Sequence, residues 1–327
     1  VNELERIALL RSHLEAGMQP GVTVGIGDDA AVLAEGQGSL VWTVDAQVDG
    51  THFRIDWASW EDVGWRSFMA AASDLAAMGA RPSAALSSLV LAPSVTDGDL
   101  EAFARGQAAA ARAVGAPVVG GNLARGQETS ITTTLLGRTY KPVLRRGARA
   151  GEGVFLAGAV GLAAAGLGAL LAGDRRLLHD ARIAPALAAW RRPHARTSDA
   201  DTVARAASAA VDVSDGLARD ASHVGEASDV RLVLEASFLL EHGGDVLHAA
   251  AQALGRDPLD LALHGGEDYA LLATSAEAEL PGFMRIGRVE AADGASSRIV
   301  VEVDGATLGI DPLGFDHFAS PRPDERP

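Results

Sequence analysis

The 327-residue chain contains no cysteine, which removes disulfides, thiolate zinc sites, iron–sulfur clusters and cysteine nucleophiles together. A reducing cytoplasm is the compartment expected of such a chain. Lysine is almost as scarce, since Lys141 is the only one and no GxxxxGK[ST] loop occurs, which argues against a Walker-type ATPase and against a protein kinase fold. No acid pair matches the DxDx[TV] signature of aspartyl-phosphate enzymes. Positive charge is in the minority, with 28 Lys and Arg against 43 Asp and Glu and a net charge of −15. That balance withdraws the long-range attraction used by nucleic-acid or anionic-membrane binders, so neither partner is expected. Any polyanionic ligand must therefore bring cations with it. Long apolar runs are missing too: GLAAAGLGALLAG at 161–173 falls short of the roughly 18 residues of a membrane span and reads as a buried helix. The start, VNELERIALLRSHL, has the spacing of an amphipathic helix and lacks the basic start and apolar centre of a signal peptide. Because the first residue is Val1 rather than Met, a few preceding residues are expected.

What the chain does have is core material. Hydrophobic residues make up 48% and charged residues 22%, the balance of a globular protein rather than a disordered one. At about 100–200 residues per domain the length suggests two domains. The basic, glycine-rich and aperiodic segment KPVLRRGARAGEG at 141–153 reads as the linker, giving domains 1–140 and 141–327. Strand and helix patterns alternate in both halves, so the fold class is α/β (α+β). Residues 21–33 read as a turn into a short strand, and 40–45, 84–92 and 130–140 as strands. A helix is expected from the N-cap Ser59, with Asp62 three residues on, to Gly79, and a second over 97–114. APVVGGN reads as a strand running into a glycine turn. In the second half VFLAG and AAVDV are strands, the latter stopped by Asp212, Ser214 and Asp215 before a helix, and GGEDY precedes a further strand.

The chemistry is suggested by acids at strand ends or among small residues: Asp28, Asp29, Asp45, Asp49, Asp74, Asp212 and Asp215. Asp74 is the most telling, because MAAASDLAAMG surrounds it with alanine, leucine and methionine, where an unpaired carboxylate carries a heavy desolvation cost. Two carboxylates about 4 Å apart repel by roughly 4 kcal/mol at an effective dielectric near 20, so converging acids require a cation. With oxygen ligands only, that cation is hard, and magnesium fits better than zinc or copper. Magnesium commonly joins carboxylates to phosphate oxygens, which points to a nucleotide. Gly120–Gly121, followed by Asn122 and Arg125, suit either a tight turn or a backbone approach to phosphate. Arg145 and Arg146 in the linker suit either solvent or a phosphate, and His52 in VDGTHF suits either a structural hydrogen bond or a ligand contact.

Taken in order, GIGDDAAVL, VDGTHF, SDLAAMGARP, VGGN…R, VDVSDGLARD, GGEDYALL and the closing GFDHF resemble the thiamine-monophosphate kinases of the aminoimidazole ribonucleotide synthetase superfamily over about residues 20–318. The resemblance implies an N-terminal domain whose sheet forms a dimer barrel with a second subunit and a C-terminal α/β domain. It further implies an active site in the cleft between domains and near the dimer interface. It assigns metal binding to Asp29, Thr43, Val44 (through its backbone), Asp45, Asp74, Asn122, Asp212 and Asp215. ATP contacts fall on Gly121, Asn122, Arg145 and Ser214, and thiamine monophosphate contacts on His52, Glu267 and Phe315. Asp28 is left to the turn or to supporting the metal ligands. Asn122 departs from the GGDT form of many members, which removes one charge from a metal site and leaves the ion count open. The implied reaction is direct in-line transfer of the γ-phosphoryl of ATP to thiamine monophosphate by a cytoplasmic homodimer using several magnesium ions, with no acid–base residue assigned. The rival readings are another ATP-dependent enzyme of the superfamily, or a non-catalytic nucleotide- or thiamine-phosphate-binding dimer. The hydrogenase-maturation and selenophosphate branches use a cysteine or selenocysteine that this chain lacks.

Overall fold

The computed structural model describes residues 9–10, 12–14, 22–24, 32–33, 36–292, 294 and 297–313, which group into two compact units. Described residues up to Pro142, joined by Thr197–Arg205, form one; Val143–Arg196 and those from Ala206 onward form the other. The segments carrying Asp28, Asp29 and Phe315, and the closing GFDHF, lie outside the described residues.

In the first unit β1 (Val22–Val24) pairs with β2 (Val32–Leu33). The main sheet is built from β3 (Ser39–Val48), β4 (Arg81–Leu91), β5 (Val118–Arg125) and β6 (Ser130–Thr139) in the order β3-β6-β4-β5, antiparallel except for the parallel β4–β5 pair. Two helices cover its inner face, α1 (Trp60–Ala77) and α2 (Asp97–Val114). Each starts in a reciprocal capping box, Ser59 with Asp62 and Thr96 with Asp99, a local arrangement worth about 1 kcal/mol per cap. Helix α1 is buried on all sides, at 14 of its 18 residues, which explains its alanine content: larger residues would hold the layers apart. Contact between the helices is backbone to backbone, since a Cβ on Gly64 would lie 2.1 Å from the Phe103 carbonyl oxygen and one on Gly106 only 1.9 Å from that of Glu61.

Two expectations change here. Strand β4 begins at Arg81 and runs through Pro82, earlier than the expected 84, and the preceding helix ends at Ala77 rather than Gly79. The expected glycine turn at Gly120–Gly121 is strand instead, and glycine is required at 121 because a Cβ there would lie 1.8 Å from the Ser87 carbonyl oxygen of the neighbouring strand.

The second unit is built on a seven-stranded mixed sheet of β7 (Gly153–Ala157), β8 (Ala209–Val213), β9 (Val230–Glu235), β10 (Ala270–Ser275), β11 (Met284–Ala291), β12 (Ile299–Val303) and β13 (Ala306–Gly309). Their order is β13-β12-β9-β11-β7-β10-β8, with only β9–β12 parallel. Every residue of β7, β8 and β10 is buried, the mark of strands covered on both faces. The α-helices of this half of the chain are α3 (Leu162–Ala172), α4 (Arg175–Leu178), α5 (Ala184–Arg191), α6 (Ala200–Ala206, all but its last residue in the segment that belongs to the first unit), α7 (Leu217–Ser228), α8 (Ala236–Leu254) and α9 (Pro258–His264). The apolar run at 161–173 is the short α3, and among the described residues no helix is long and apolar enough to cross a membrane. Strand β8 continues through Asp212, so that residue sits inside the sheet rather than stopping it.

Candidate active site

In the first unit the alternation of β3 turns Val41, Thr43, Asp45 and Gln47 toward α1. The Thr43 hydroxyl donates to Asp74 Oδ2, and Arg66 Nε donates to Gln47 Oε1 at 3.4 Å. Thr43 and Gln47 are four residues apart on a strand, about 13 Å, and Asp74 and Arg66 eight residues apart on a helix, about 12 Å. Helix and strand therefore run side by side in opposite directions with matched pitch. Asp45 lies between the two contacts, half-buried, and accepts from Gln47 Nε2 at 3.5 Å. Asp74 is thus the partnered, half-buried acid that its apolar sequence surroundings demanded. Across the same face the register continues from Asp45 to Thr133, Ser87 and Gly121, with Gln107 of α2 donating to Ser87 Oγ at 3.0 Å. Asn122 is one residue further along β5 and pairs with Ser88, which puts it exposed on the opposite face of the sheet from Thr43 and Asp45. Val44 is also on that outer face, 63% exposed, alongside Leu40 and Trp42. His52 takes a structural hydrogen bond: its Nδ1 accepts the Val48 N–H at 3.1 Å while its own N–H donates to the Val48 carbonyl oxygen.

In the second unit two acidic loops are bound together through backbone groups. The Glu267 N–H donates to the Ser214 carbonyl oxygen at 2.7 Å and the Tyr269 N–H to that of Val213 at 2.9 Å. Glu267 and Tyr269 hold φ of 64° and 51°, a left-handed backbone uncommon for such residues and characteristic of positions fixed by their surroundings. Asp212 is buried, and Ser214 and Asp215 are half-buried, with Asp215 3.7 Å from the Arg219 guanidinium. Exposed Arg145 is held through its backbone, because Ser228 Oγ donates to its carbonyl oxygen and accepts the N–H groups of Gly147 and Ala148.

Two acids without an assigned role turn out to build these loops. Asp220 Oδ2 accepts from the N–H groups of Ser214, Asp215 and Gly216. Burial and the nearby Asp215 push its carboxyl up, to about 7, against the three N–H donors that favour the ionised form. Asp268 accepts the N–H of Gly161 at 2.6 Å and of Ala163 at 2.9 Å, supplying the cap that α3 lacks. Desolvation of its carboxyl outweighs those two bonds and raises it to about 7. The only sequence signal for either was an acid four residues after SDG or directly after GGE, which by itself fits a solvated turn.

Asp268 makes stability pH-dependent. Its folded value lies above the ordinary 3.8, so the folded chain keeps a proton that the unfolded chain loses between pH 4 and 7. Stability contributed in this way is present at low pH and declines as pH rises through 7. The melting temperature is expected to be several degrees higher at pH 5 than at pH 8. Asp268→Asn gives up one backbone bond at every pH and flattens part of that slope; an unaltered slope in thermal melts would place the charge elsewhere.

Among the described residues no three His, Asp or Glu side chains form a ready-made metal cluster, and Asp29 is not among those residues. The donors present near Asp74, two carboxylates and a hydroxyl, are all oxygen, which suits a hard divalent cation.

Residues 27–139 match the family model for the AIR synthase related protein, N-terminal domain. The chain is 35% identical over 294 residues to a thiamine-monophosphate kinase of Mycobacterium tuberculosis (strain CDC 1551 / Oshkosh), covering 88% of this chain and 86% of that one. It is 33% identical over 322 residues to the thiamine-monophosphate kinase of Aquifex aeolicus (strain VF5), covering 97% and 98%. Among solved structures, AaThiL complexed with AMPPCP and TMP superposes with a TM-score of 0.79 at 32% identity, over 97% of both chains.

Proposed function

Since the chain belongs to the thiamine-monophosphate kinase family, we propose that it moves the γ-phosphoryl group of ATP onto the phosphate of thiamine monophosphate, giving thiamine diphosphate, in the cytoplasm and as a homodimer. The observation that carries this reading is the Thr43–Asp74 pair beside Asp45, on a chain matched over nearly its full length by a protein solved with AMPPCP and TMP. A phosphate monoester has a second pKa near 6 and is already largely dianionic at neutral pH, so the acceptor needs no general base. The obstacle is the approach of one polyanion to another, which makes catalysis a matter of alignment and charge neutralisation. Several magnesium ions, bound when the substrates are, supply that neutralisation and polarise the phosphoryl oxygens.

The protein's part is to hold and orient. Asp45 and Asp74, with the Thr43 hydroxyl and Val44 backbone, hold metal in the first unit, and Asp212 and Asp215 do so in the second. Asp29 completes that set, whereas Asn122 lies on the opposite face of the sheet, so an ion it holds is a separate one from that of Thr43 and Asp45, and its amide brings no charge. Gly121, Asn122, Arg145 and the Ser214 hydroxyl contact ATP. His52, Glu267 and Phe315 bind thiamine monophosphate. For Ser214 the side chain is the free part, because its N–H and C=O are both engaged within the loops. The homodimer is supported by the outer face of β3, where Leu40, Trp42 and Val44 are 57%, 73% and 63% exposed on an edge strand.

The test is to supply thiamine monophosphate, magnesium and ATP labelled at the γ-phosphate. Label in thiamine diphosphate is the expected result. Binding of thiamine monophosphate without transfer would instead indicate a silent binding protein, and no binding would return the chain to the other ATP-dependent branches of its superfamily.

A further inference from the structure

The loop 213–216 is held from both sides. Its carbonyl groups at Val213 and Ser214 accept from the 267–269 segment, while its three N–H groups at Ser214, Asp215 and Gly216 converge on a single oxygen of Asp220 at 3.0, 3.1 and 3.1 Å. Asp220 is only 3% exposed and sits in the first turn of α7, where its own N–H closes that turn onto the Gly216 carbonyl oxygen at 2.9 Å. His223 Nδ1 lies 3.9 Å from the second carboxylate oxygen. Three consecutive N–H groups aimed at one point before a helix ordinarily make a phosphate-binding nest. Here the chain's own carboxylate fills it, so a nucleotide phosphate has no access to those donors. The side chains with which the loop can then address a ligand are the Ser214 hydroxyl and the Asp215 carboxylate.

We propose that Asp220 is a positioning residue of the kinase reaction: by gathering three backbone N–H groups onto one oxygen it fixes the loop from which Ser214 and Asp215 meet magnesium-bound ATP. The assignment rests on the kinase reading above. A flexible loop would present the same two side chains in many arrangements, and the larger loss falls on nucleotide and magnesium, the thiamine substrate being affected only indirectly, through Glu267, whose N–H donates to the Ser214 carbonyl oxygen.

Calorimetric titration separates the cases, using magnesium with a non-hydrolysable ATP analogue, and thiamine monophosphate alone, against wild type, Asp220→Asn and Asp220→Leu. Wild type binds both ligands. Asp220→Leu is expected to weaken the analogue more than tenfold and to raise the magnesium needed for half-saturation, with thiamine monophosphate affinity within about twofold of wild type. Asp220→Asn retains one accepting oxygen without the charge and is expected to recover part of that loss, remaining about three- to tenfold weaker than wild type. If Asp220→Leu does not fold, the Asn variant alone decides. An Asn variant equal to wild type, or variants that weaken both ligands alike, would overturn the positioning role while leaving the kinase reading intact. A wild-type protein that binds neither ligand would overturn the kinase reading itself.

Discussion

Asp74→Asn is expected to lower kcat/KM by about 10³-fold, near the upper range for removing one charged or donor group that acts on the transition state. Asp74 is half-buried on α1 and accepts the Thr43 hydroxyl, so the amide oxygen of Asn can keep that bond and the helix–strand contact with it. What disappears is a negative charge beside Asp45. A fold change of that size corresponds to about 4 kcal/mol of transition-state stabilisation, whereas the melting temperature is expected to move by only a few degrees. The magnesium concentration for half-maximal rate rises at the same time. Steady-state kinetics over a magnesium series, set beside thermal melts, reads both effects. An active variant with an unaltered magnesium dependence would remove Asp74 from the metal-binding set.

Trp42→Asp is expected to convert the protein to a monomer at micromolar concentration. β3 is an edge strand whose inward residues meet α1, while Leu40, Trp42 and Val44 point away from the unit's own core. A Trp side chain buries about 150–250 Å² when covered. At about 25 cal/mol per Å² that is roughly 5 kcal/mol per copy, or three orders of magnitude or more in the dimerisation constant. Trp42 Nε1 donates to Thr134 Oγ1 on the same sheet, so the indole is already oriented within one subunit and loses little freedom when a second subunit covers it. Thr43 and Asp45 neighbour Trp42 on the same strand, so activity is expected to fall with the dimer. Sedimentation velocity gives the answer: a wild-type monomer at micromolar concentration would refute the interface, and a dimeric Trp42→Asp would place it elsewhere.

Much of the fold was legible because its signals are short. Ser59 and Asp62 form their capping box within four residues, and the helix over 97–114 is bounded by its own cap and by Gly115 in the left-handed conformation. The strand over 130–139 follows from its alternation and β-branched content. Gly120–Gly121 misled for the converse reason. Glycine permits a turn, but at 121 it is there because a neighbouring strand comes close, and that neighbour is more than thirty residues away.

The sequence by itself determined which side-chain chemistry is available: oxygen ligands and no thiol, acids in excess and one lysine. It also determined the starts of α1 and α2 and the hydrophobic strands β6, β7, β8 and β10, because caps and side-chain periodicity act over three or four residues. Only the tertiary structure decided which acids have which duty. Asp74 meets a hydroxyl 31 residues away, Asp268 caps a helix more than 100 residues earlier in the chain, and Asp220 occupies the very N–H groups that a phosphate would have sought. Asn122 and Gly121, adjacent in sequence, are directed to opposite faces by strand register. Pairing partners set such outcomes, and a carboxylate's role depends on which donors the fold brings within about 3 Å of it.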